Sequence, residues 1–157
     1  MEVKNTILFV CTGNSCRSQM AEGFMKELLN TDHMILSAGL KPSTVNPVAI
    51  KAMKEKNIDI SRQISNHVDE FLNYKHDYVI TVCDNAKKLC PAGLDANNFL
   101  HWSIPDPYVD GKDNDLHLPR YRKARDLIES HIETLLFKIL NWGMICRNYM
   151  VMNYIQV

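Results

Sequence analysis

No stretch of this 157-residue sequence holds the roughly 18 continuous apolar residues that a membrane span requires, so none is expected. Charge of one sign is not in excess either: 18 Lys and Arg are matched by 18 Asp and Glu. That balance gives no basis for binding nucleic acid or an anionic membrane, and any preference for anions must come from a local site. The first apolar run, Ile7 to Val10, is too short for the core of a signal peptide and is not followed by a small-residue cleavage site. A cytosolic chain in a reducing compartment is therefore expected. Internal repeats and low-complexity segments are missing. The six histidines lack metal-ligand spacing, so neither a metal nor another cofactor is expected.

What the sequence does hold is five cysteines: Cys11, Cys16, Cys83, Cys90 and Cys146. The number is odd, so at least one thiol stays unpaired in a monomer, the expected state. In a reducing compartment cysteines are more often catalytic or redox-active than structural.

The length suits one domain with one core. Thr6 to Val10 reads as a buried parallel strand. After a polar loop, Met20, Ala21, Phe24, Met25 and Leu28 recur at helical spacing. Met34 to Ser37 reads as a second strand closed by Gly39. Asn46-Pro47 starts a helix with a cap residue and a first-turn proline, and Ile50 and Met53 line its apolar face. The pattern predicts helical residues at 66–73, a strand at 78–82, a short helix at 84–89 and a strand at 98–103. A long helix is predicted from about Arg120 to Leu140, with Leu127, Ile128, Ile132, Leu135, Leu136 and Ile139 facing the core, and Gly143 ends it nearby. Strands alternating with helices define an α/β fold, a four-stranded parallel sheet with helices on both faces. The domain is read as residues 1–140. The tail, 141–157, is rich in methionine and tyrosine with little period, and neither it nor Cys146 is assigned a role.

Chemistry concentrates in the first loop. Cys11 and Arg17-Ser18 flank five residues between a strand and a helix. Such a loop aims backbone N–H groups at one point, and the helix start adds partial positive charge. Gly13 permits close approach to a ligand, and Asn14 tolerates positive φ in a tight nest. Arg17 can grip two oxygens of a tetrahedral anion. A loop of this kind favours thiolate over thiol, and Ser18 can hold that thiolate with its hydroxyl. A thiolate beneath a bound oxyanion is a nucleophile in place. Thr12, Gly13, Asn14, Ser15, Cys16, Arg17 and Ser18 form the expected anion cradle. Within it, the Cys16 side chain is read as a small buried hydrophobe.

Val10-Cys11-Thr12-Gly13-Asn14-Ser15-Cys16-Arg17-Ser18 resembles the phosphate loop of low-molecular-weight protein tyrosine phosphatases and of the arsenate reductases that share their fold. Gln19-Met20-Ala21-Glu22-Gly23 resembles the reductase branch, since the phosphatases usually carry proline where this chain has Gln19. Ser37-Ala38-Gly39, Asn46-Pro47, Asp59-Ile60-Ser61, His101-Trp102 and Asp106-Pro107 match the reductases in order and spacing. The resemblance covers roughly residues 5–140. It implies an arsenate reductase of the thioredoxin-coupled, three-cysteine type.

The segment from Thr81 to Pro91 separates the branches. Cys83 closes a strand, which puts it on the ligand-binding edge of a parallel sheet with Cys11. Cys90 lies about two helical turns, or roughly 10 Å, further on. A disulfide needs Cα atoms within about 7 Å, so pairing Cys83 with Cys90 requires the helix to unwind. Pro91 and Gly93 stand beside it. A phosphatase needs only Cys11. The resemblance implies a relay through Cys11, Cys83 and Cys90, regenerated by an external dithiol such as thioredoxin. It also implies that Asp106, held between Pro105 and Pro107, supplies the general acid. Asp110, Asp113 and Asp115 are read as solvated charges, and His101 as structural. Asn14, Glu22, Ser37 and Asn66 offer oxygens to a monovalent cation or, as the simpler reading, form a hydrogen-bond network. Two alternatives remain. One is a phosphatase using Cys11, Arg17 and Asp106, with Tyr108 flanking a substrate ring. The other is a non-catalytic oxyanion or redox sensor.

Overall fold

Thr6–Cys11, the first strand (β1), is apolar from Ile7 onward, and Ile7, Leu8, Phe9 and Val10 are all fully buried. Successive side chains of a strand point to opposite faces, so both faces of the sheet are covered at β1. The computed structural model describes the backbone of residues 4–29, 32–109 and 114–153, and side chains up to residue 140. After β1 come α1 (Arg17–Leu28), β2 (Met34–Gly39), α2 (Pro47–Lys54), β3 (Lys75–Thr81), α3 (Asp84–Leu89), β4 (Asp95–His101) and α4 (Leu118–Asn153). The strands lie in the order β2-β1-β3-β4, all parallel.

This order places the site. From β1 the chain turns to β2 on one side; from β3, the other neighbour of β1, it turns to β4 on the opposite side. Connections that diverge in this way open a crevice at the carboxyl ends of the two adjacent strands. The loop after β1 begins with Cys11, and the segment after β3 carries Cys83.

Helix α1 packs on β1 and β2 through Met20, Ala21, Phe24 and Met25, all buried, and α4 packs across α1 and α2. Ala124, Ile128, Ile132, Leu135 and Ile139 form the buried stripe of α4. Full burial of such a side chain is worth about 1.5–3 kcal/mol. Trp102, just past β4, packs against Phe9 and stacks on His131 of α4 with ring centroids 5.0 Å apart. The start of α2 follows its sequence signal. Asn46 Oδ1 accepts from the amides of Val48 at 2.8 Å and Ala49 at 3.2 Å, and Pro47 opens the first turn.

Several expectations are corrected. The helix read at 66–73 is only a 3-10 turn, Val68–Phe71, because the two residues before it are committed elsewhere. The Asn66 amide donates to Asn14 Oδ1 at 2.8 Å, and His67 bridges Gly39. Strands β3 and β4 begin three residues earlier than read and end one and two residues earlier. Their first residues pair only with each other, Lys75 with Asp95 and His76 with Ala96, which no local pattern announces. Leu28 and Leu127 are exposed, at 51% and 38%, rather than core. Leu28 is the last residue of α1, and Leu127 sits one position, about 100°, off the stripe through Ile128. Gly143 does not end α4, which runs on to Asn153. An interior glycine costs a helix only about 1 kcal/mol, and no proline follows it. Asp110 and Asp113 lie outside the described residues; Asp115 is exposed and pairs with Lys51. No helix among the described residues is long and apolar enough to cross a membrane.

Candidate active site

The loop between β1 and α1 is folded around the Cys11 sulfur. The Asn14 amide donates to Sγ at 3.1 Å, and Ser18 Oγ shares a hydrogen bond with it at 2.9 Å. Asn14 takes φ 44°, a left-handed conformation that asparagine adopts more readily than most residues. Its side chain explains the loop's rigidity. Nδ2 donates to Ser18 Oγ and to Ser37 Oγ, each at 2.8 Å, while the backbone carbonyl of Asn14 accepts from Ser65 and Gln19. Ser37 in turn donates to Glu22, whose other oxygen pairs with Lys26. Asn14, Glu22, Ser37 and Asn66 thus form a connected hydrogen-bond network under the loop. Among the described residues no cluster of His, Cys, Asp and Glu has the makings of a metal site.

No side chain caps the start of α1. That leaves the helix's positive end facing the loop. Cys11, Thr12, Gly13, Ser15, Cys16, Arg17, Asp106 and Tyr108 line a cleft of about 180 Å³ at this point. Its dimensions and donors suit a small tetrahedral anion. Arg17 is 9% exposed and its Nε is a buried donor without a partner. An unmet donor costs about 1–3 kcal/mol, which a bound oxyanion can relieve. The rest of the guanidinium is engaged: Nη1 donates to the Ile104 carbonyl at 3.0 Å and Nη2 to Asp106 Oδ2 at 2.8 Å. The second oxygen of Asp106 accepts from the Tyr108 amide at 3.1 Å. The loop that carries Asp106 is held from behind by Arg120, which donates to the carbonyls of Asp106 and Pro107.

Gly13 has no structural need for its missing side chain, since an added Cβ would meet only Ser15 Oγ at 3.4 Å. Gly39 is the glycine the loop depends on. A Cβ there would stand 2.8 Å from the Asn14 amide nitrogen and the Thr12 carbonyl oxygen. Cys16 is buried beside Ser15 and Tyr121, and burial pushes its thiol up to about 11.

Cys83 is reached through Thr12, whose hydroxyl shares a 3.4 Å hydrogen bond with its sulfur. The Cys83 sulfur also caps α3, accepting from the Ala86 amide at 3.4 Å. Cys90 ends the same helix, half-buried, and burial raises its thiol above the ordinary range. Cys11, Cys16, Cys83 and Cys90 are all free thiols. The structure therefore gathers Cys11, Arg17, Asp106 and the loop around one cleft and sets Cys83 one side chain away. It leaves Cys90 at the far end of α3. The Thr12–Cys83 link and the Arg17–Asp106 pair carry no signal in spacing, because each joins segments more than 70 residues apart.

The fold and this loop define the class: the chain belongs to the low molecular weight phosphotyrosine protein phosphatase family, which it matches over residues 6–143. Within that class it is similar to proteins named as arsenate reductases. The arsenate reductase of Halalkalibacterium halodurans (strain ATCC BAA-125 / DSM 18197 / FERM 7344 / JCM 9153 / C-125) is 45% identical over 132 residues, covering 83% of this chain and 94% of that one. The solved structure of an arsenate reductase in the phosphate binding state is 38% identical with a TM-score of 0.71, over 86% of this chain and 98% of the other. An arsenate reductase in the oxidized state is 37% identical with a TM-score of 0.74, over the same shares.

Proposed function

We propose that this chain reduces arsenate to arsenite through a relay of Cys11, Cys83 and Cys90, and that an external dithiol such as thioredoxin restores it. The observation that carries the reading is the second thiol. Cys83 stands one hydroxyl away from the anion loop, at the end of the strand beside that of Cys11, where a phosphatase has no use for it. The similarity to arsenate reductases over nearly their whole length supports it.

Arsenate enters the cleft, and Arg17 turns from Asp106 to grip two of its oxygens. Cys11 Sγ attacks arsenic, forming an S–As bond as an As–O bond breaks. Asp106, released from Arg17, takes up a proton beside the arriving anion and delivers it to the departing oxygen, which leaves as water. Cys83 then attacks Cys11 Sγ. The S–S bond forms, the S–As bond breaks, and its electron pair leaves with arsenic as arsenite. Cys90 attacks Cys83, freeing Cys11 as thiolate and leaving a Cys83–Cys90 disulfide for the external dithiol. Exchange of this sort runs best when the attacking thiol is partly ionised. Cys90, raised by burial, becomes competent as it leaves its half-buried place at the end of α3. A cytosolic setting supplies the reducing conditions the cycle needs.

Phosphate-ester hydrolysis is the second reading. Tyr108 on the wall of the cleft favours it, since a ring there can flank an aromatic ester. A thiol count separates the two. Without external reductant, arsenate turnover consumes two thiols per arsenite released and ester hydrolysis consumes none. A sensor would change state without stoichiometric arsenite.

A further inference from the structure

The relay requires α3 to come apart, so whatever fastens α3 sets how readily it runs. Asp84 is the first residue of α3 and follows Cys83 directly. Its Oδ1 accepts two hydrogen bonds from beyond its own helix, from Ser103 Oγ at 2.9 Å and His101 Nε2 at 3.0 Å. Both donors lie at the carboxyl end of β4. His101 is itself braced. Thr81, its partner in the β3–β4 register and buried, has its hydroxyl 2.8 Å from Nδ1. A carboxylate can only accept, so Nε2 carries a proton, and Nδ1 shares the other hydrogen bond with the Thr81 hydroxyl. A fixed line thus runs from the sheet, through His101, to the first residue of the redox helix. The cleft's chemistry uses none of these three residues.

We propose that His101 and Ser103 are positioning residues that latch α3 in its wound, dithiol form by holding Asp84. The proposal rests on the relay reading and adds to it the contact that opposes disulfide formation. Bringing Cys90 to Cys83 means unwinding a segment that would otherwise separate the thiols by roughly 10 Å. The Asp84 bonds exist only while the first turn is wound against β4. They therefore stabilise the dithiol over the disulfide and make Cys83–Cys90 a stronger oxidant, more easily reset by an external dithiol. Removing them favours the disulfide.

The test is equilibration of the full chain with mixtures of reduced and oxidised dithiothreitol. Each Cys83–Cys90 bond formed consumes one dithiothreitol disulfide and releases one dithiol. The fraction of that bond is read by acid quench, alkylation and peptide mapping, for the parent, Asp84→Ala, Ser103→Ala and the double variant. Asp84→Ala removes both bonds and is expected to shift the equilibrium about tenfold toward disulfide, about 30 mV for a two-electron couple. Ser103→Ala is exposed and safe for folding, and is expected to shift it about threefold by removing one neutral–charged bond of two. The double variant should match Asp84→Ala, since Ser103 acts only through that carboxylate. Single variants within twofold of the parent, or a double variant showing the summed effects, would overturn the latch. A parent that forms no Cys83–Cys90 disulfide at any ratio would overturn the relay itself, a different result from a latch that fails.

Discussion

The Arg17 guanidinium donates to Asp106 Oδ2 at 2.8 Å, so the group we propose to grip the anion and the group we propose as acid are ion-paired with each other. Asp106 is 56% exposed in its side chain, which weakens the pair and lets the anion displace it. In the proposed mechanism one arginine has two partners in succession, and the exchange of partners frees the acid when it is needed.

Arg17→Lys should be severely damaging although charge is kept. A lysine cannot reach the Ile104 carbonyl, Asp106 and two anion oxygens with one planar fork. A fall in kcat/KM of about 100-fold or more is expected for arsenate and for p-nitrophenyl phosphate, the scale of losing one aligned transition-state donor. Near-normal efficiency toward both would show that the bidentate grip is not used.

Gly39→Ala should disturb the anion loop from outside it. The added carbon would press on the Asn14 nitrogen and Thr12 oxygen at 2.8 Å, and both are backbone atoms that cannot rotate away. A stability loss of about 1–3 kcal/mol is expected from urea unfolding, with loss of phosphate binding in titration calorimetry. A variant that binds phosphate like the parent would place the loop's rigidity elsewhere.

Cys16 should be inert where Cys11 is not. Burial holds Cys16 near 11, so at a pH of about 8 only about one molecule in a thousand carries its thiolate. Brief iodoacetamide treatment followed by peptide mapping should label Cys11 and spare Cys16, and Cys11→Ser should abolish both the labelling of the loop and all turnover. Equal labelling of Cys16 would contradict its placement.

The contrast between Cys11 and Gly39 shows what was legible in the sequence. The strand, loop and helix around Cys11 are local, and their order, apolar run and Arg17 spacing could all be read from the chain. So could Asn14 as the residue of positive φ. Gly39 serves a loop 25 residues away and only the folded register reveals it. The same holds for the Thr12–Cys83 contact and for His101 on Asp84, which depend on β3 lying between β1 and β4. His101 was readable as structural, but not what it holds. Element ends were misread where non-local pairing decides them, as at Lys75 and Asp95.

Glu55 ties α2 to α4 by accepting from Arg122 and Arg125, and those bonds, Arg122's first, hold its carboxyl down from 4.5 to about 2. The folded value lies below the unfolded one, so the stabilisation is complete above a pH of about 4.5 and fades as pH falls through about 2. Glu55→Gln should therefore be less stable than the parent near neutrality, and the gap in urea midpoint should narrow steadily below a pH of about 4.5. A gap that stays constant across that range would mean the ion pair is not its source.

The relay is tested most directly by single-turnover arsenite release from Cys83→Ser and Cys90→Ser, with disulfides mapped by mass spectrometry. Without Cys83 the adduct on Cys11 has no neighbouring thiol to collapse it, and no arsenite should appear. Without Cys90 one equivalent of arsenite should be released, leaving a trapped Cys11–Cys83 disulfide. Both variants should still hydrolyse p-nitrophenyl phosphate to whatever extent the parent does. If both instead reduce arsenate through repeated turnovers as well as the parent does with the same external reductant, the three-thiol relay is wrong, and Cys83 and Cys90 are packing residues beside a phosphatase loop.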